Sequence, residues 1–316
     1  MPALTSVRRL LRLQAGGQWF ALDLADVAAI EAADALAEAS WSGDLVGSML
    51  HAGVEVNIHL LAPRLGLPTF AGKSRGAVAI VRTQRPAWGM LVDRVVAETH
   101  VQPELHPAPT ACGGRGTLPF TGVAAFPGAH GVELAWLLDP DRLHPDDPPP
   151  RALRPAVKPS AETPPLPPAP AAGERRGQVL MYSLGEWRNR PVSAGLSYQQ
   201  VLEVLPMPEL TPAPFAPPHV RGICAWRGRI VAVVDLGLRL GLPAAESGRE
   251  KLLVARATPE GHLIGLVVPS ALGPLRLPAP HGRGAAEDAN KPLLGAFELV
   301  DRTLWLPDLA AVAEAA

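Results

Sequence analysis

A chain of 316 residues with 29 basic and 30 acidic side chains and a formal net charge of −1 carries neither the basic footprint of a nucleic-acid binder nor a surface that seeks acidic lipid. Its 47% hydrophobic content is enough for real cores, and the length suits two domains of about 140 residues better than one. The two cysteines, Cys112 and Cys224, exclude a disulfide framework and a four-cysteine metal site, and fit a reducing cytosol.

The opening stretch MPALTSVRRLLRLQAGGQWF lacks the continuous apolar centre of a signal peptide. No later segment reaches the roughly 20 apolar residues of a membrane helix, so a soluble cytoplasmic protein is expected. Residues 4–145 then read as a first domain of short β-rich runs divided by Gly and Pro turns. It includes DLVGSMLHAGVEVNIHLLAPRLGLP (44–68), WGMLVDRV (88–95) and a glycine-rich loop, HPAPTACGGRGTLPFTG (106–122). Between Pro145 and Gly177 the texture changes to PDDPPPRALRPAVKPSAETPPLPPAPAAGERRG. Proline fixes φ and removes a donor, so this run favours extended polyproline II and cannot build a core. Residues 146–177 are therefore read as a semi-rigid linker, able to separate two modules by up to roughly 100 Å. Its PPLPPAP (164–170) has the form of a ligand for a proline-reading domain, a form that any proline-rich spacer tends to contain.

A second domain, 178–316, begins with an opening pair of strands in QVLMYSLGEWRNRPVSAGL (178–196). SYQQVLEVL (197–205) reads as a short turn or helical bend. In HVRGICAWRGRIVAVVDLGLRLGLP (219–243), Ile230 to Val234 are the β-branched or small residues of a buried strand. KLLVARATPEGHLIGLVV (251–268) has the shape of a hairpin around Pro259-Glu260-Gly261, and FELVDRTLWLPDLAAV (297–312) that of another, closing with a short helix. Many short strands with regular turns argue for small barrels.

The two halves repeat. Residues 44–68 lie on 219–243 without a gap, Gly47 on Gly222 and Gly53 on Gly228, and Arg64-Leu65-Gly66-Leu67-Pro68 recurs as Arg239 to Pro243. WGMLVDRV lies on IGLVVPSA (264–271) at nearly the same shift. This is a tandem duplication joined by the proline run.

The order VxEV, then VRGxxxxRGRxxxVVDLxxRLGL, then a GLVV strand and a terminal hairpin resembles the CheW family over nearly all of 178–316. The first copy resembles it in layout and turns but not in its charged residues. The resemblance implies a mainly β fold: two CheW-like domains, each a pair of small five-stranded SH3-like β-barrels, joined by the proline-rich linker. It also implies a non-catalytic adaptor that couples the cytoplasmic tips of chemoreceptors to the regulatory domain of a CheA-type histidine kinase, in the cytoplasm at receptor arrays or a cell pole. Carried over residue by residue, the partner-binding positions are Val201, Glu203, Gly222 and Arg227, and the surrounding motif includes Arg221, Gly228 and Asp235.

Glu203 and Arg227 flank apolar runs on segments that end near each other if their strands pair, where a guanidinium–carboxylate pair would fix the loop. Gly222 and Gly228 permit positive φ or close backbone approach, as do Gly47 and Gly53 in the first copy. Asp235 reads as a turn or helix cap rather than a contact. The first copy has Val46, Ala52 and Leu60 in place of Arg221, Arg227 and Asp235, and Ala29 opposite Glu203 to within a residue. Both members of the pair are alanine together, as expected of a unit whose half would strand a charge. Conversely the first copy has Asp93 where the second has Pro269, so the copies are read as having divided their contacts. A related reading makes the protein an array-capture scaffold, holding a polar-positioning protein through the degenerate copy or the linker.

No catalytic or cofactor chemistry is expected. GGRG (113–116) and GRG (282–284) do not sit between a strand and a helix as a phosphate loop would, and the histidines have no metal-ligand spacing. Cys224 beside Trp226 reads as a buried, inert thiol. Asp139 and Asp308 stand at equivalent closing positions and read as caps rather than an acid–base pair.

Overall fold

The structure is a computed structural model, and it describes residues 9–69, 76–97, 103–113, 118–128, 131–148, 178–187, 189–243, 250–259, 261–269, 271–276 and 292–314. The proline-rich run beyond residue 148, its PPLPPAP, residues 114–116 of GGRG and the GRG at 282–284 lie outside the described residues. The chain forms two compact units, 1–108, 115–153 and 225–230 in one and 109–114, 154–224 and 231–316 in the other. By strand pairing, 225–230 is the tip of a hairpin in a sheet of the second unit.

In the first unit the chain runs β1 (Leu10–Ala15), β2 (Gln18–Asp23), β3 (Val27–Ala32), β4 (Ala37–Ser42), β5 (Leu45–His51), β6 (Val54–Leu60), α1 (Leu61–Arg64), β7 (Ala77–Val81), β8 (Trp88–Val92), β9 (Arg94–Ala97), β10 (Glu104–His106), β11 (Phe120–Gly128) and β12 (Gly131–Leu138). These make two sheets, ordered β10-β11-β12-β2-β1-β9 and β3-β7-β8-β6-β5-β4. In the second unit it runs β13 (Gln178–Trp187), β14 (Arg190–Ser197), β15 (Val201–Pro206), β16 (Val220–Trp226), β17 (Arg229–Val234), α2 (Leu236–Arg239), β18 (Lys251–Arg256), β19 (Leu263–Val268), β20 (Ala271–Arg276), β21 (Leu293–Glu298), β22 (Thr303–Pro307) and α3 (Leu309–Ala313). Its sheets are ordered β20-β13-β14-β22-β21 and β15-β18-β19-β17-β16.

Apart from the added edge strands β4 and β10, the two units share one topology. Each sheet is antiparallel except for one parallel junction: β2 with β12, β6 with β8, β14 with β22 and β17 with β19. The registers agree too. A bulge falls between Val27 and Ala29 in β3, which oppose Val81 and Ile80, and between Val201 and Glu203 in β15, which oppose Ala255 and Val254. Ala29 therefore stands at the position of Glu203 with no offset.

Each sheet of the first unit has its own apolar cluster. Leu10, Ala21, Phe126 and Leu137 pack in one, and Val46, Met49, Val56, Ile58, Val78 and Ile80 in the other. Central strands such as β17 (RIVAVV) are buried over their last four residues, which explains their unbroken apolar sequence. The edge strand β15 (VLEVLP) instead alternates between half-buried and exposed.

Two expectations are corrected. Residues 197–205 are not mainly a bend: after a turn at 198–200, Val201–Pro206 is a strand paired with β18, because its alternating burial completes a sheet. The first unit's sheets have six strands rather than five, through β4 and β10. The four sheets fit the expected mainly β pairs of small SH3-like folds, and among the described residues no pairing joins the outer strands of any sheet.

Candidate functional site

The Arg-Gly segment of the second unit is a hairpin. Arg227 and Gly228 make its turn, with φ of 47° and 71°, the doubly left-handed geometry of a tight type I′ connection. The first unit makes the same turn with Ala52 and Gly53, at 48° and 81°. The backbone was kept in both copies while the side chains diverged. Arg227 is exposed and its guanidinium lies 5.0 Å from the Trp226 ring, a cation–π contact that stiffens a long flexible side chain. At the matching tip the first unit presents apolar groups, Leu50 (76% exposed) and Val54 (65%).

Gly222 acts through the backbone. Its φ is 147° and a Cβ there would lie 2.6 Å from the Thr211 carbonyl oxygen, while Ile223 and Thr211 exchange hydrogen bonds of 2.8 and 2.9 Å. The glycine lets the 211 segment lie against β16, so any contact role it has comes through that placement. Gly47 in the first unit has no positive φ but faces Glu38 in the same way, as a sheet partner.

Arg221 is exposed and has two acids within ion-pair range, Asp235 at 3.6 Å and Glu250 at 3.8 Å. At those distances and that exposure the pairs contribute little to stability. Asp235 also caps α2, accepting from the Leu238 amide at 3.1 Å, as expected. Leu60 in its place gives α1 no side-chain cap. Asp308 caps α3 through the amides of Ala310 and Ala311, and Asp139 accepts from those of Asp141 and Arg142. Both thus serve as the caps they were read to be.

Val201 and Glu203 are half-buried on β15. Glu203 and Arg227 belong to the two edge strands of one sheet, β15 and the β16–β17 hairpin, with β18, β19 and β17 between β15 and β16, so the two strands do not pair with each other. At the first unit's equivalent of Glu203, Ala29 packs against the apolar cluster of its sheet.

One pair of positions was missed by the sequence reading, although the aligned strings contain it. In the first unit Arg64 is 3% exposed. Its Nη1 donates to Asp44 at 2.8 Å, its Nε to the Leu143 carbonyl at 2.6 Å, and its Nη2 to the carbonyls of Asp147, at 2.8 Å, and His144. Burial alone would raise the Asp44 carboxyl, but the hydrogen bond and charge of Arg64, with His59 nearby, hold it below the usual carboxylate range. In the second unit Arg239 replaces Arg64, and His219 replaces Asp44. The backbone bond Leu60 N to Asp44 O recurs as Asp235 N to His219 O, each 2.7 Å.

Burial, and then the Arg239 charge, push the His219 imidazole down from 6.5 to about 4. The folded unit thus keeps His219 neutral at pH values where the unfolded chain protonates it. Stability is fully present above about pH 6.5 and declines as pH falls towards 4. Between pH 7 and pH 5 the second unit should lose about 2 kcal/mol from this group. Urea unfolding at the two pH values measures the loss, and His219→Gln should shrink it.

The thiols are unreactive by environment: burial pushes Cys224 up to about 11 and Cys112 higher still. Among the described residues no three His, Cys, Asp or Glu side chains gather as metal ligands, and no helix is long and apolar enough to cross a membrane.

A family model for the CheW-like domain matches the chain twice, over residues 9–147 and 178–316. No curated protein sequence matches it. Among solved structures, the scaffolding protein TtCheW from Thermoanaerobacter tengcongensis is similar at 14% identity and a TM-score of 0.35, over 44% of this chain and 92% of that one.

Proposed function

The chain belongs to the CheW family, carrying the family's domain twice, and from that premise we propose that it is a non-catalytic chemosensory adaptor. It couples the cytoplasmic tips of chemoreceptors to the regulatory domain of a CheA-type histidine kinase, in the cytoplasm at receptor arrays. The modules are 4–145 and 178–316, with 146–177 as spacer, and the second carries the receptor contact through Val201, Glu203, Gly222 and Arg227. The observation that supports this most is the exposed cationic hairpin tip, whose Arg227 is held over Trp226 in a turn that the first module builds with alanine.

That comparison also supplies the control. Because Ala52 occupies the same backbone conformation, Arg227→Ala should leave the second module folded. It should weaken binding of a receptor tip by about 1–3 kcal/mol, roughly 5- to 150-fold. Calorimetric titration with the tip, beside a melting curve, measures both. Unchanged affinity would remove Arg227 from the contact.

The apolar tip of the first module, with Leu50 and Val54 exposed, favours a second role. The first copy holds a different partner, such as a protein that positions arrays at a cell pole, and leaves the receptor to the second copy. Loss of that capture in Leu50→Asp, with receptor binding intact, is the result this role requires.

A further inference from the structure

Arg239 is a buried guanidinium for which no acid stands as a partner among the described residues. It is 8% exposed, and its Nε is enclosed with no acceptor among the described residues. Burial lowers its proton affinity. Its neighbour His219, 4% exposed, is a second basic group. A buried charge without a counter-charge is among the most costly features a fold can carry.

The first module shows what this position is shaped to hold. Arg64 stands at the same place in the repeated Arg-Leu-Gly-Leu-Pro sequence, at the end of a helix of the same length. It is satisfied by the Asp44 carboxylate and by the carbonyls of Leu143, His144 and Asp147. With His219 in the place of Asp44, the second module retains the guanidinium and has a basic side chain where the first has its acid. A planar guanidinium with a fixed fork of donors matches the two oxygens of a carboxylate, the group the first module places there.

We propose that Arg239, with His219 beside it, is a binding site for a carboxylate, taking from outside the second module the group that Asp44 supplies inside the first. The carboxylate is the side chain of an aspartate or glutamate on a partner protein, or a free small acid with the same chemistry. The site depends only on the second module's geometry and stands whether or not receptor coupling holds.

The test follows the Nε–H resonances of arginine in the ¹⁵N-labelled full chain, with Arg239 identified by its disappearance in Arg239→Lys. The probes are sodium acetate and an end-capped Gly-Asp-Gly peptide, each compared with sodium chloride at equal ionic strength. The Arg239 signal should move saturably, with carboxylate bound at least about tenfold more tightly than chloride. The Arg64 signal should stay still, because its acceptors are filled. In His219→Asp, which supplies the carboxylate internally, the Arg239 signal should no longer respond.

A response to peptide and acetate alike assigns the site to a protein side chain, and a response to acetate alone assigns it to a free acid. The proposal is overturned if neither probe moves the signal, or if chloride moves it equally. It is also overturned if the wild-type Arg239 signal already matches that of Arg64 and resists titration, since an acid of this chain would then fill the site. All three readings are made on the wild-type protein, and where Arg239→Lys fails to fold the Arg239 Nε is assigned by through-bond connectivity to its own backbone.

Discussion

Arg64→Ala should destabilise the first module by about 3–5 kcal/mol, the largest effect expected of any single polar substitution in this chain. Arg64 makes a carboxylate bond and three carbonyl bonds from one buried side chain. Its removal strands Asp44 beside His59, whose Nδ1 is 3.4 Å away, and unpins the segment 143–147 that leads to the spacer. Each buried acceptor left unmatched adds a desolvation penalty of about 1–3 kcal/mol, less where water can enter. Arg64→Met keeps much of the apolar stem and removes the donors, so it should fall nearly as far. Amide exchange in β5–β8 should accelerate while that in β17–β19 of the second module stays unchanged. A loss below about 1 kcal/mol would mean that water replaces the guanidinium at little cost.

The second large effect is steric. Gly265 lies at the parallel junction opposite Val233, and a Cβ there would come within 2.7 Å of Leu252 Cδ1, 3.2 Å of Val233 Cγ2 and 3.3 Å of the Ala232 carbonyl oxygen. Gly89 repeats the arrangement opposite Ile58, with Ile58 Cδ1 at 2.3 Å and Val78 Cγ1 at 3.0 Å. In both modules a neighbouring aliphatic side chain fills the space above the glycine. Gly265→Val raises local β propensity, worth under about 1 kcal/mol. It also forces two branched methyls into a filled core, where overpacking costs about 1–3 kcal/mol and sometimes more. The net expectation is a loss of about 2–3 kcal/mol in the second module, read from its urea midpoint, with Gly89→Val doing the same to the first. Stability equal to the parent would show that β17 and β19 spread to admit the side chain.

The duplication was legible because glycines mark turns that no other residue replaces cheaply. Gly53 and Gly228 aligned in the text and occupy the same turn in space. Ala29 opposite Glu203 was legible to within a residue, and the shared bulge removes the remainder. The strand at 201–206 was not legible. Val201, Leu202, Val204 and Leu205 fit a helical turn as well as an alternating strand, and only pairing with β18, some fifty residues on, decides between them. β4 (AEASWS) and β10 (ELH) carry little apolar signal and exist because a neighbouring strand offers free hydrogen-bonding groups. Glu250 near Arg221 was invisible, since β18, the strand that follows it, does not pair with β16. The exchange of Asp44 for His219 stood in the aligned strings, but only burial shows that the Arg239 Nε is left without an acceptor among the described residues.

As the proposed adaptor, one chain brings a receptor tip and a kinase regulatory domain together. Sedimentation of the full chain with a soluble receptor tip and the regulatory domain of a CheA-type kinase from the same cell tests it most directly. The expected result is a single species containing all three proteins, from which Arg227→Ala releases the receptor tip while the kinase domain stays bound. Three components sedimenting separately, at concentrations well above micromolar, would contradict the adaptor reading.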